Sequence, residues 1–140
     1  MPGLANQAAV LIHTRPGTEV VIDQAAHLVN FEEGGAAAWS GVQLRGVESP
    51  DGIPDPEAFT AAIRGTSPFV PETSLLCLEN THNAAGGKVI PVERVAEAYF
   101  KIGERFGFDW LRRLDAQLGR LADLDQAIQA SKGGSPKAKR

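Results

Sequence analysis

Apolar positions along this chain fall into two regimes. In the first, short runs are separated by turn-rich segments. Glu19-Val20-Val21-Ile22 is a continuous β-branched run closed by Asp23, the pattern of a parallel strand buried on both faces. Val42, Leu44 and Val47 alternate with polar positions and predict a second strand. Leu75-Leu76-Cys77-Leu78 predicts a third, which breaks into a polar turn, Glu79-Asn80-Thr81-His82-Asn83. The pair Gly86-Gly87 follows, then Val89-Ile90, stopped by Pro91. That stretch is expected to be the central strand of a sheet, delivering a histidine-bearing loop at the carboxyl edge where open α/β sheets place ligands. Helical patterns lie between the runs. Ala5 to His13 is alanine-rich and ends at Thr14-Arg15-Pro16-Gly17, a Pro-Gly stop. Gly34 to Trp39 is a small-residue helix, and Asp55-Pro56 opens another as N-cap and first helical residue, with Phe59, Ala62 and Ile63 as its apolar face.

After Pro91 the period changes. Val92, Val95, Ala96, Tyr99, Ile102, Gly103 and Phe106 recur every three or four residues, which predicts an amphipathic helix ended by Gly107. Leu111, Leu114, Leu118, Leu121 and Ile128 predict a second helix, so the two form an αα-hairpin. The hairpin's leucines have three possible partners: the α/β part, each other, or a second chain. Residues 131–140, with Gly133-Gly134-Ser135-Pro136 among four basic residues, read as a disordered tail. The expected fold class is α/β: a partial, mostly parallel sheet with flanking helices and a C-terminal αα-hairpin. Its parts are 1–92, 93–130 and 131–140.

Composition narrows the function classes. The 140 residues are 43% hydrophobic and 22% charged, ordinary for a globular protein. A net charge of -3 gives no case for nucleic acid or an anionic membrane, and no apolar stretch reaches the roughly 20 residues of a membrane helix. The start MPGLANQ lacks the features of a signal peptide. The single Cys77, inside an apolar run, fits a reduced buried thiol. The expected location is cytoplasmic.

Candidate chemistry centres on histidine. His82, among Asn80, Thr81 and Asn83, has two readings: a general base whose neighbours hold its tautomer, or a loop residue amid turn hydrogen bonds. His27 lies just past the first strand, so parallel strands would bring both histidines to one edge. His13 ends a helix, where a dipole contact explains it. Glu32 and Glu33 precede Gly34-Gly35; such a pair either faces a ligand or, more ordinarily, is a solvated helix start. No metal-ligand spacing, P-loop or G-x-G-x-x-G is present, so no metal is expected.

Up to about Val92 the chain resembles an internal piece of the threonine aldolase and aromatic amino acid β-eliminating lyase family, fold-type I enzymes that use pyridoxal phosphate. The matching runs are Ala5-Asn6-Gln7, the segment Thr14 to Val20, Ala26-His27 with Glu32 or Glu33 and Gly34-Gly35, Ser40-Gly41-Val42, and above all LCLENTHN with Gly86-Gly87 and Ile90-Pro91. The resemblance implies that His27 stacks on the cofactor ring. It implies that His82 is the catalytic histidine near the substrate hydroxyl, and that Asn6 follows the phosphate-binding turn. Met1-Pro2-Gly3 stands where the family has Ser-Gly-Thr. The family's later aspartate, arginine and Schiff-base lysine have no counterpart in the chain, and Lys88 sits where the family has a basic residue without that role. From about Glu93 to Leu121 the residues are similar to a helical segment of large bacterial NAD-dependent glutamate dehydrogenases.

These resemblances imply a chimeric, non-catalytic binding or interaction protein built from enzyme-like fragments. It would modulate or inhibit a protein partner, or pair with its own copy, and need no cofactor. The alternative is a pyridoxal phosphate-dependent carbon–carbon lyase acting on β-hydroxy amino acids.

Overall fold

A computed structural model of the chain describes residues 3–106. Within it run α1 (Leu4–His13), β1 (Glu19–Asp23), α2 (His27–Asn30), α3 (Gly35–Ser40), β2 (Gln43–Val47), α4 (Pro56–Ala62), β3 (Thr73–Leu76) and α5 (Val92–Phe106). The chain divides into two compact units, 1–101 and 102–140. The second helix of the expected hairpin and the basic tail lie outside the described residues.

The three strands form a parallel sheet in the order β2-β1-β3. All five residues of β1 are buried, whereas β3 alternates and β2 is largely at the surface. This corrects the expectation that the Ser74 stretch is central: β1 is the middle strand and β3 flanks it. The reason is physical. A strand flanked on both sides and covered on both faces needs an unbroken apolar run, and Val20, Val21 and Ile22 supply it. Val20 lies opposite Leu44 on one side and Leu75 on the other. β3 is also shorter than the apolar run that predicts it. Cys77 N–H still donates to Val21 O at 2.8 Å, after which the chain turns away.

Helices pack on this sheet through small or apolar contacts. α1 packs on α3, and a Cβ at Gly35 would fall 2.7 Å from Gln7 Cδ, so a larger residue there would push the Gln7 side chain aside. In α4 the Asp55 carboxylate accepts the Glu57 N–H at 3.2 Å, with Pro56 at the first turn, as the sequence predicts, and Phe59 is wholly buried. α5 keeps the carboxyl-terminal part of its predicted face, with Ile102 and Gly103 buried as expected, and departs from it in the first turns. Val92 and Val95 are exposed and Ala98 is buried, while Lys101 reaches back to Glu57 of α4.

The amino-terminal edge of the sheet is held by a buried carboxylate. Glu19 accepts from both Arg64 Nε at 2.9 Å and Arg64 Nη2, and from Thr73 Oγ1 at 2.8 Å. Thr73 Oγ1 in turn accepts the Arg64 N–H. Burial pushes the Glu19 carboxyl up, but the Arg64 and Thr73 hydrogen bonds and the Arg64 charge outweigh it and hold it below its ordinary value. Among the described residues no helix is long and apolar enough to cross a membrane.

Candidate active site

Because the strands are parallel, their carboxyl ends share one edge, and each delivers a loop there. β1 leads to Asp23 and His27, β2 to the loop containing Gly52, and β3 to Glu79 and His82. One carboxylate fastens two of these loops. Glu79 Oε2 accepts the His27 backbone N–H at 2.6 Å, and Oε1 accepts the Asn83 N–H at 2.8 Å. Both histidines therefore lie at the same edge, on loops tied through Glu79.

His27 opens α2. Its Nδ1 is 2.9 Å from Glu32 Oε1. The same oxygen accepts from Asn6 Nδ2 at 2.7 Å, and Oε2 accepts from Gln7 Nε2 at 2.6 Å. Glu32 is buried against the start of α1, where a Cβ on Gly3 would fall 2.5 Å from its Cδ. The solvated-helix reading of Glu32 is thus corrected, while Glu33 is exposed. Burial raises the Glu32 carboxyl, but hydrogen bonds from Asn6, His27 and Gln7 more than offset this and leave it below its ordinary value. The His27 side chain keeps 31% of its surface exposed. Its ring lies 5.5 Å from the exposed Phe31 ring at a 39° tilt.

His82 is placed differently. It is 2% exposed and its peptide is clamped: the N–H donates to Lys88 O at 2.7 Å, and the carbonyl accepts from Gly87 N–H at 2.9 Å. Gly52 lies against it with φ +72°, and a Cβ there would fall 2.4 Å from Ala85 Cβ and 3.2 Å from His82 Cγ. The side chains expected to hold the ring do not; Asn80 Oδ1, for example, accepts the Ile90 N–H. The neighbour is Asp23, whose Oδ1 lies 3.3 Å from His82 Nε2. That contact is within ion-pair reach but is not aligned as a hydrogen bond, so both ring nitrogens and Asp23 Oδ2 are buried without a hydrogen-bond partner. Asp23 Oδ1 also accepts the Ala25 N–H at 2.6 Å.

Sequence reading did not single out Asp23, Gln7, Gly52 or Glu79. The one available signal was that Asp23 follows an apolar strand and so sits at its carboxyl edge. Cys77 is no candidate nucleophile. Although part of the residue reaches solvent, burial around the thiol pushes it up to about 12.

This arrangement has known relatives. The chain is 33% identical over 135 residues to low-specificity L-threonine aldolase 1 of Arabidopsis thaliana, covering 91% of this chain and 38% of that protein. It is 38% identical over 102 residues to the low specificity L-threonine aldolase of Escherichia coli K12, covering 72% and 30%. A solved Leishmania major threonine aldolase shares the fold with a TM-score of 0.64 at 20% identity, over 74% of this chain and 29% of that one. The chain therefore spans well under half the length of these relatives. The profile of the beta-eliminating lyase family matches residues 3–109, which takes in the first part of the 93–121 segment expected to be glutamate dehydrogenase-like. The match takes in the whole sheet and both histidine loops, and the chain belongs to the beta-eliminating lyase family.

Proposed function

We propose that this chain carries the ring-holding half of a pyridoxal phosphate site of threonine aldolase type, and that by itself it binds rather than turns over substrate. One observation carries the reading. His27 is a half-exposed aromatic side chain whose Nδ1 is fixed by a buried carboxylate, itself fixed by two amides of α1. A flat ligand ring needs a surface of that kind.

The residues present suit the cofactor in three respects. The His27 ring offers a stacking face. The first turn of α1, with no side-chain cap, leaves backbone N–H groups toward an anion, and Asn6 retains one amide N–H beside it. The unpartnered polar atoms of His82 and Asp23 supply groups for a polar substrate. When bound, pyridoxal phosphate supplies the electron sink of the reaction class. The chain's own part is to orient the ring through His27 and Glu32, and to accept a substrate hydroxyl proton at His82. Among the described residues the lysines are Lys101, paired with Glu57, and Lys88, which is exposed, and neither is placed as a catalytic amine, which favours the binding reading.

The test uses pyridoxine phosphate, which lacks the aldehyde and cannot react with surface lysines. Calorimetric titration should show binding that weakens about tenfold, or 1.4 kcal/mol, in His27→Ala. Equal affinity in the two proteins sinks the stacking role. Aldehyde released from L-threonine by the 140-residue chain sinks the non-catalytic part.

The proposal extends to a protein partner or a second copy of this chain. β2 and β3 are the outer strands of the described sheet, and an outer strand offers unpaired peptide groups. The nearby surface carries exposed apolar side chains, with Phe69 91% exposed. Light scattering should find a mass above that of one chain, or a pull-down should retain a specific protein. A strict monomer that retains nothing removes this extension.

A further inference from the structure

Among the described residues, the Asp23–His82 contact is where three buried polar atoms at the functional edge lack partners. We propose that Asp23 is a positioning residue that fixes the tautomer of His82, keeping the proton on Nε2 and leaving Nδ1 as the proton-accepting atom. The second half of this statement rests on the reading of His82 as the acceptor of a substrate hydroxyl proton; the first half does not.

The argument is electrostatic. Asp23 and His82 side chains are 4% and 2% exposed, so water does not screen them. In the Nδ1–H tautomer the Nε2 lone pair would face a carboxylate oxygen at 3.3 Å, acceptor against acceptor, while the Nδ1 proton would be buried with no acceptor. In the Nε2–H tautomer the proton sits on the nitrogen nearest Asp23 Oδ1, and a ring rotation that aligns the two closes the hydrogen bond, as catalytic contacts often tighten on binding. Only the Nδ1 lone pair then remains unused. A ring protonated on both nitrogens would leave the buried Nδ1–H donor without an acceptor until a substrate oxygen supplies one. Asn80, Thr81 and Asn83 do not compete for the ring, and the clamp on the His82 peptide, with Gly52 packed on Cγ, restricts its movement.

The consequence is a defined proton path. The substrate O–H bond breaks, its electron pair stays on oxygen, and the proton adds to the Nδ1 lone pair. The ring becomes an imidazolium with N–H on both nitrogens, and the Asp23 carboxylate at Nε2 balances the new charge. Returning the proton from Nδ1 restores the starting state.

The tautomer is read by multiple-bond ¹H–¹⁵N correlation of the ring nitrogens in the full chain, above the ordinary histidine range of about 6.5. The His82 signals are assigned by their loss in His82→Gln. Wild type should show Nε2 protonated and Nδ1 bare. In Asp23→Asn the amide can donate to Nε2, so the pattern should reverse to mostly Nδ1–H; in Asp23→Ala it should become mixed. A wild-type proton on Nδ1, or on both nitrogens, overturns the proposal, and so does an unchanged pattern in an Asp23→Asn protein shown folded by circular dichroism. If Asp23→Asn does not fold, the wild-type spectrum alone decides. This readout needs no cofactor. If pyridoxine phosphate fails to bind while the tautomer behaves as stated, the proposed function falls and the hold of Asp23 on His82 stands.

Discussion

Replacing Glu32 with alanine is expected to cost about 2–3 kcal/mol of stability and to weaken pyridoxine phosphate binding at least as much as His27→Ala does. The three donors released by the substitution are not equivalent. Asn6 is exposed and His27 half-exposed, so both regain water. Gln7 is buried and its carbonyl oxygen already lacks a partner. Stranding its Nε2 as well, together with the small cavity left behind, accounts for most of the cost. Two checks separate this from a generic core lesion. Adding Gln7→Leu to Glu32→Ala should recover part of the lost stability, because it removes the stranded amide. The pH profile should also change. The folded value of Glu32 is depressed, so its stabilisation is complete above the ordinary carboxyl value of about 4.3 and is lost as pH falls through the lower folded value. Urea unfolding of Glu32→Ala should accordingly fall less steeply below about pH 4.3 than wild type. A loss below about 1 kcal/mol, or no recovery in the double variant, would mean that Glu32 is not the anchor described.

What the sequence made legible, and what it hid, follows from the range of each interaction. The β1 run and the Asp55-Pro56 helix start are set by neighbours in sequence, and both occur where pattern and turn chemistry place them. The meeting of His27 and His82 at one edge required only that the strands be parallel. Glu32 and Glu33 are chemically identical neighbours. Which one is buried depends on where α1 lies, at a separation of about 25 residues, and no local pattern carries that. Asp23 and His82 are likewise brought together by the β1–β3 pairing. The polar residues beside His82 looked like its partners because they are adjacent in the chain, yet its peptide is used by Lys88 and its ring faces Asp23. In α5 the apolar spacing of Val92 and Val95 matched a helix but not its buried side, because small Ala98 is what packs.

Glu19→Ala tests the opposite edge of the sheet, and its expected cost is about 2–4 kcal/mol with no change in the His82 tautomer. Glu19 is the single acceptor joining β1 to Thr73 of β3 and to Arg64 beyond α4. Its removal leaves the buried Thr73 hydroxyl proton without that acceptor, opens a cavity beneath Arg64, and unpairs the guanidinium. Because Arg64 keeps 24% of its side chain exposed, it recovers hydration, which places the cost below the upper end for fully buried pairs. Glu19→Gln should lose less, since an amide oxygen of the same shape can still accept from Thr73 or from Arg64. It should lose more than nothing, since its amide nitrogen then faces a donor. The sign of the pH effect is fixed by the depressed folded value of Glu19: its ionic contribution is present above about pH 4.3 and disappears on acidification, so the gap between wild type and Glu19→Ala should narrow at low pH to the part due to the lost packing. The functional edge provides the control. The carboxyl ends of the strands carry Asp23, His27 and His82, whereas Glu19 and Thr73 sit at the amino ends. A folded Glu19→Ala protein below its unfolding temperature should therefore bind pyridoxine phosphate as wild type does. If it unfolds no more readily than wild type, the buried carboxylate does not hold the sheet. If it is stable but loses the ligand, the two edges are coupled, and the division between a structural and a functional edge fails.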